Sequence, residues 1–73
     1  MIRGDTQSAR RNLARNLRRL RLERGWSQDE LAAEAETRQA LVSAIEIGTA
    51  NPTLASLEKL ASTLGVSIAD LFK

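Results

Sequence analysis

The sequence predicts an all-α domain of five helices, and three observations predict it. Apolar residues recur at helical spacing and nowhere alternate with the two-residue period of a strand. Three segments open on a hydroxyl residue placed to cap a helix, Ser27, Thr53 and Ser67. Three glycines, Gly25, Gly48 and Gly65, stand where apolar stripes end, as residues that close helices do.

Residues 1–8 are polar, contain a glycine and show no periodicity. A flexible arm is expected there, ahead of one domain over residues 9–73. The first helix is expected over residues 9–24. Leu13, Leu17 and Leu20 fall at i, i+4 and i+7, one stripe of an amphipathic helix, and arginines fill most other positions. Gly25 stops it, and Trp26 is expected to pack into the core from the turn. The second helix is expected over residues 28–35. Ser27 and Glu30 form a capping box, in which the serine hydroxyl accepts from the Glu30 N–H and the glutamate accepts from the Ser27 N–H. Leu31, Ala32 and Ala35 give this helix a small apolar face, suited to a close crossing.

Glu36 and Thr37 make a turn, and a third helix follows over residues 38–47, with Val42 and Ile45 inward. Residues 48–52 read as a loop. Thr53 caps a fourth helix carrying Leu54, Leu57, Leu60, Ala61 and Leu64, which Gly65 ends. Ser67, with Asp70 three residues on, opens a short fifth helix, and Val66 and Leu71 hold the positions of a hydrophobic staple.

Composition narrows the chemistry. The 73 residues suffice for one small domain. Cysteine and histidine are both absent, which removes disulfides, thiolate sites, the usual metal clusters and the usual neutral-pH base. No glycine-rich phosphate loop appears, and Ser27 and Ser67 are accounted for as caps. A non-enzyme without metal or cofactor is expected, and no small-molecule ligand is evident. Trp26 and Phe72 are the only aromatic residues, which argues against a base-stacking single-strand binder. No run approaches the roughly 20 apolar residues of a membrane span, and the first residues lack the apolar core of a secretory signal. A cytoplasmic protein is expected.

Charge is uneven. Residues 1–25 hold eight arginines against two acids, net +6; the remainder holds three basic residues against seven acids, net −4. Such asymmetry suits either a solvated arginine face or contact with a polyanion.

Two short helices joined by a tight turn at residues 27–48 form a helix-turn-helix layout, whose second helix enters the major groove of DNA. The chain resembles the Xre / lambda-repressor-like family. The resemblance is carried by Ser27-Gln28-x-x-Leu31-Ala32, then Val42-Ser43-x-Ile45-Glu46-x-Gly48, then Asn51-Pro52-Thr53-Leu54, then Leu60-Ala61-x-x-Leu64-Gly65-Val66. It runs from about Leu13 to Phe72, and it implies a compact five-helix DNA-binding domain. The position of Glu36 is usually glycine in that family, with positive φ, so the turn is expected to cost roughly 1 kcal/mol here.

With Val42 and Ile45 inward, Arg38, Gln39, Ala40, Ser43, Ala44 and Ile47 face outward. The resemblance places base and near-base contacts at such positions. Gln39 suits adenine N6 and N7 through its amide; Arg38 suits guanine O6 and N7, or a phosphate. Ala40 and Ala44 offer methyl contacts or room, and Ser43 offers a hydroxyl. Leu41 lies between groove and core. Gln28, at a helix N-terminus, is the leading phosphate contact, followed by Thr49, Asn51 and Arg15. On this reading Gln39→Ala relaxes preference at one base, and Gln28→Ala weakens binding to every sequence alike. The resemblance also implies a buried ion pair between Arg21 and Glu46; the rival reading makes Arg21 one more phosphate contact.

The expected function is a sequence-specific regulator of transcription, binding double-stranded DNA. One domain offers a limited interface, so a homodimer on a palindrome is expected, with half-sites roughly 34 Å apart. Leu54, Leu57, Ile68, Leu71 and Phe72 are the candidates for its dimer surface. Within the family the chain resembles restriction–modification controller proteins and small prophage repressors. The alternative is the antitoxin of a toxin–antitoxin pair; the absence of an extension after Phe72 counts against it.

Overall fold

The computed structural model describes residues 6–73. Its elements in order are α1 (Thr6–Glu23), α2 (Gln28–Glu34), α3 (Gln39–Ile47), α4 (Leu54–Leu64) and α5 (Ile68–Leu71), with no strand among the described residues. α1 begins at Thr6, ahead of the expected start at Ala9; the rest of the expected arm, residues 1–5, lies outside the described residues. α3 begins one residue late, because Arg38 is its N-cap and keeps an extended backbone (φ −105°, ψ 144°).

Three of the starts are capped by their own side chains, and α3, with Arg38 at its N-cap, is not. Ser27 and Ser67 both form full capping boxes, with Glu30 and Asp70, and the Thr53 hydroxyl accepts from the Ser56 N–H. Gly48 and Gly65 end α3 and α4 in the left-handed region. The inward stripes meet in one core. Leu17 of α1, Leu31 of α2, Val42 of α3, Leu60 of α4 and Leu71 of α5 are each fully buried, and a side chain of this kind contributes about 1.5–3 kcal/mol. Ala32 and Ala35 are buried at the α2–α3 crossing, where larger side chains would force the helices apart. Trp26 is half-buried against the core.

α1 also ties the end of the chain to the bundle through polar side chains. Buried Asn16 donates to the carbonyls of Leu71 and Lys73, both at 3.0 Å, and Asn12 donates to that of Phe72 at 3.3 Å. Arg24 donates to the Leu64 carbonyl at 2.8 Å while its guanidinium lies 5.4 Å from the centre of the Trp26 ring. Last-turn carbonyls of a helix lack partners within it, and these side chains supply them to α4 and α5. Among the described residues, no buried side-chain nitrogen or oxygen lacks a partner.

Candidate nucleic-acid interface

The α2–α3 turn closes without a glycine. Glu36 takes φ +55°, while its N–H donates to the Ala33 carbonyl and the Thr37 N–H donates to that of Ala32 at 2.8 Å. Thr37 is half-buried. The turn sets α3 across α2 with Val42 and Ile45 in the core, 0% and 2% exposed. The opposite face is open: Arg38, Gln39 and Ala40 are exposed, Ser43 and Ala44 are half-buried, and Ile47 is 71% exposed. Leu41, ambiguous in sequence, packs against the core.

A chain of polar contacts runs from the interior to this face. The Arg21 guanidinium meets the Glu46 carboxylate with two prongs, Nε to Oε2 at 2.7 Å and Nη2 to Oε1 at 2.9 Å. Both side chains are buried, 8% and 3% exposed. Arg21 Nη1 donates to the Trp26 carbonyl at 2.8 Å. Glu46 Oε1 also accepts from Gln28 Nε2 at 3.1 Å, and Gln28 Oε1 accepts from Gln39 Nε2 at 2.8 Å. Burial pushes the Glu46 carboxyl up, but hydrogen bonds from Arg21 and Gln28 and the charges of Arg21 and Arg18 outweigh it, and the net direction is down. The hydrogen bond to Glu46 raises Arg21 further above its already high value, against desolvation. Arg21 is therefore a structural residue here.

The remaining candidates separate in space. Thr49 and Asn51 are exposed in the loop after α3, and the Thr49 hydroxyl donates to the Ala44 carbonyl at 3.3 Å. Arg15 stands instead at the α1–α5 end, where it donates to Asn12 and to the Lys73 carbonyl. Of the expected dimer residues, Leu57 and Leu71 are corrected to core positions, at 8% and 0% exposure, because the inward stripes of α4 and α5 carry them. Ile68 and Phe72 are half-buried against the same core, and Leu54 is 64% exposed.

Structure also divides the basic half of the chain. Arg21 is held internally, Arg24 is exposed but engaged with the Leu64 carbonyl, and Arg19 pairs with Glu23 at 3.2 Å on the surface. Sequence reasoning missed the Arg24 and Asn16 contacts and the link from Gln28 to Gln39. Their only signal was a polar residue interrupting or flanking an apolar stripe. Among the described residues, no group of acidic, histidine or cysteine side chains is arranged to hold a metal ion, and no helix is long and apolar enough to cross a membrane.

Comparison with known proteins agrees with this geometry. Residues 17–71 match a family model described as helix-turn-helix. A hypothetical transcription factor of Neisseria meningitidis serogroup B is 42% identical over 67 residues, covering 92% of this chain and 63% of that protein. This chain thus spans less than two thirds of that relative. A crystal structure of the hypothetical transcription factor NHTF from Neisseria superposes with a TM-score of 0.86 at 38% identity, covering 100% of this chain and 84% of that one. The restriction–modification controller protein C.AhdI from Aeromonas hydrophila gives a TM-score of 0.81 at 32% identity, covering 86% and 96%. These proteins are named as transcription factors or a controller, in keeping with the expectation of a non-enzyme.

Proposed function

This chain belongs to the helix-turn-helix family, Xre type, and on that premise we propose that it is a sequence-specific regulator of transcription that lays α3 in the major groove of double-stranded DNA. The observation that carries the proposal is the division of α3. Val42 and Ile45 anchor one side in the core, while Arg38, the N-cap, and Gln39 and Ala40 of the first turn stand exposed. The first turn of a recognition helix is the part that reaches base edges.

In this reading Gln39 and Arg38 contact bases, and Ala40, Ser43 and Ala44 line the floor of the contact. Gln28, Thr49 and Asn51 contact phosphates and set the register. Arg15, engaged at the α5 end, is left out of the contact set. One such domain covers a limited interface, so the protein acts as a homodimer on a palindrome. Leu54, Ile68 and Phe72 remain as its dimer residues. The likeness to a restriction–modification controller supports a regulator of this small type.

Selection of bound duplexes from a random library at physiological salt tests the proposal. A palindromic consensus, with half-sites roughly 34 Å apart, is expected. Binding without any enriched sequence, vanishing as salt rises, would reduce the contact to phosphates alone and turn the search to a protein partner such as a toxin.

A further inference from the structure

Glu46 belongs to the last turn of α3 and its carboxylate is buried, yet its chemistry reaches the exposed first turn of the same helix. Both of its oxygens are held by Arg21, so it cannot turn aside. An ionised carboxylate only accepts hydrogen bonds. The amide that meets it must therefore present NH2, and Gln28 does so through Nε2. That orientation sends the Gln28 carbonyl oxygen the other way, toward α3. Gln39 must then donate to it, as it does at 2.8 Å. One amide proton of Gln39 is committed by this bond. Its Oε1 and its second N–H remain.

An acceptor beside a donor is the complement of adenine, which offers the N6 amino group and N7. Reversing the relay would change the reading. If Gln28 offered NH2 to Gln39, Gln39 would accept through Oε1 and keep both N–H groups for a base. Two donors complement guanine, which offers O6 and N7 as acceptors.

We infer that Glu46 is a positioning residue for specificity: through Gln28 it fixes the polarity of the Gln39 amide, and so sets adenine over guanine at the base Gln39 reads. The inference rests on the proposed role of Gln39 in base readout. It also joins Gln28 to that role, where the sequence placed it with phosphates alone.

The test takes the selected duplex, varies the contacted position through all four bases, and measures binding by the parent, Gln39→Ala, Glu46→Gln and Gln28→Met. Parent protein is expected to favour adenine over guanine there by about 5- to 150-fold, the worth of a bidentate contact. Gln39→Ala identifies the position by abolishing that preference. A neutral amide at position 46 sets its NH2 against an Arg21 donor whichever way it turns, so it no longer holds Gln28 in a single orientation, and Glu46→Gln is expected to lower the adenine-to-guanine ratio by about fivefold or more. Gln28→Met keeps the Arg21–Glu46 pair, releases the Gln39 amide, and is expected to lower the same ratio by about fivefold or more. Preferences at other positions stay as in the parent.

If Gln39→Ala changes no preference anywhere, base readout by Gln39 fails and the relay fails with it. If Gln39→Ala relaxes one position while Glu46→Gln and Gln28→Met weaken all four bases alike, Glu46 is a brace alone and the inference is overturned with the readout intact. Should thermal melting show Glu46→Gln unfolded, Gln28→Met decides the matter by itself.

Discussion

Arg21 and Glu46, 25 residues apart in the chain, lock the last turn of α1 to the last turn of α3 through a two-pronged ion pair. Because Arg21 also holds the Trp26 carbonyl, the same guanidinium fixes the start of the chain's path into α2. Removing one partner strands the other charge in the interior. Arg21→Ala is expected to cost about 3–5 kcal/mol. In a domain of this size that lowers the melting temperature by more than about 12 °C. Arg21→Met combined with Glu46→Leu, which leaves no unpaired charge, is expected to recover most of the loss. A loss below about 1 kcal/mol for Arg21→Ala would place the pair with solvated surface pairs and refute its buried role.

Acid stability follows from the same pair. The folded Glu46 carboxyl lies below its ordinary 4.5, since its hydrogen bonds and neighbouring charges overcome burial. Its contribution is therefore complete above 4.5 and is lost as pH falls through the lower folded value. Arg21, raised further above its already high ordinary value, stays charged through the acid and neutral range and adds no slope in acid. Asp70 adds a second, lower step. A hydrogen bond with Lys73, ahead of those from Ser67, holds it at about 2 against an ordinary 3.8, so its contribution disappears between those values. Urea midpoints are expected to stay level from about pH 8 to pH 5 and then to fall. Asp70→Asn should flatten the part of that fall between 3.8 and about 2. A midpoint unchanged from about pH 6 to pH 3 would contradict both assignments.

The capping box at Ser27 positions the residue that matters most on α2, Gln28, by fixing where the helix begins. Ser27→Ala removes the acceptor for the Glu30 N–H at 3.0 Å and is expected to cost about 0.5–2 kcal/mol. Ser27→Asp keeps an acceptor there and is expected to stay within about 0.5 kcal/mol of the parent. Chemical denaturation of both variants distinguishes a working cap from a solvent-facing serine, for which the two changes would match.

What the sequence made legible was local. The caps at Ser27, Thr53 and Ser67, the stop at Gly48 and the left-handed Glu36 each depend on a few neighbouring residues, and with the leucine stripe of α1 they mark out the five helices. The contacts that escaped notice join distant segments. Asn16 looks like any polar residue beside an apolar stripe, and only the return of α5 against α1 buries it against the carbonyls of residues 71 and 73. Arg24 read as part of a basic surface, whereas the fold places the end of α4 within its reach. Gln28 and Gln39 were each legible as polar residues at helix starts. Their bond was not, because it depends on the crossing of α2 and α3. Leu57 and Leu71 were candidates for a partner's surface as well as members of the apolar stripes, and the packing of α4 and α5 puts them inside.

Glu36 is the one non-glycine residue at positive φ among the described residues, and it stands in the turn that aims α3. A side chain in the left-handed region costs about 1–2 kcal/mol. Glycine removes that cost but gives the unfolded chain more freedom, so Glu36→Gly is expected to stabilise by a net of about 0.5–1 kcal/mol and to raise the melting temperature by a few degrees. Charge acts separately. Glu36 is exposed two residues before Arg38, and in the proposed complex its carboxylate would oppose the phosphate backbone. Glu36→Gln keeps the strain and removes the charge, so it should tighten binding to all duplexes alike while leaving the melting temperature within a degree or so of the parent. That gain should shrink as salt rises, because exposed charges are screened. Both variants measured side by side separate the two effects. If Glu36→Gly melts no higher than the parent, the turn carries no strain at this position, and if Glu36→Gln binds no tighter at low salt, the carboxylate lies too far from the phosphates to oppose them.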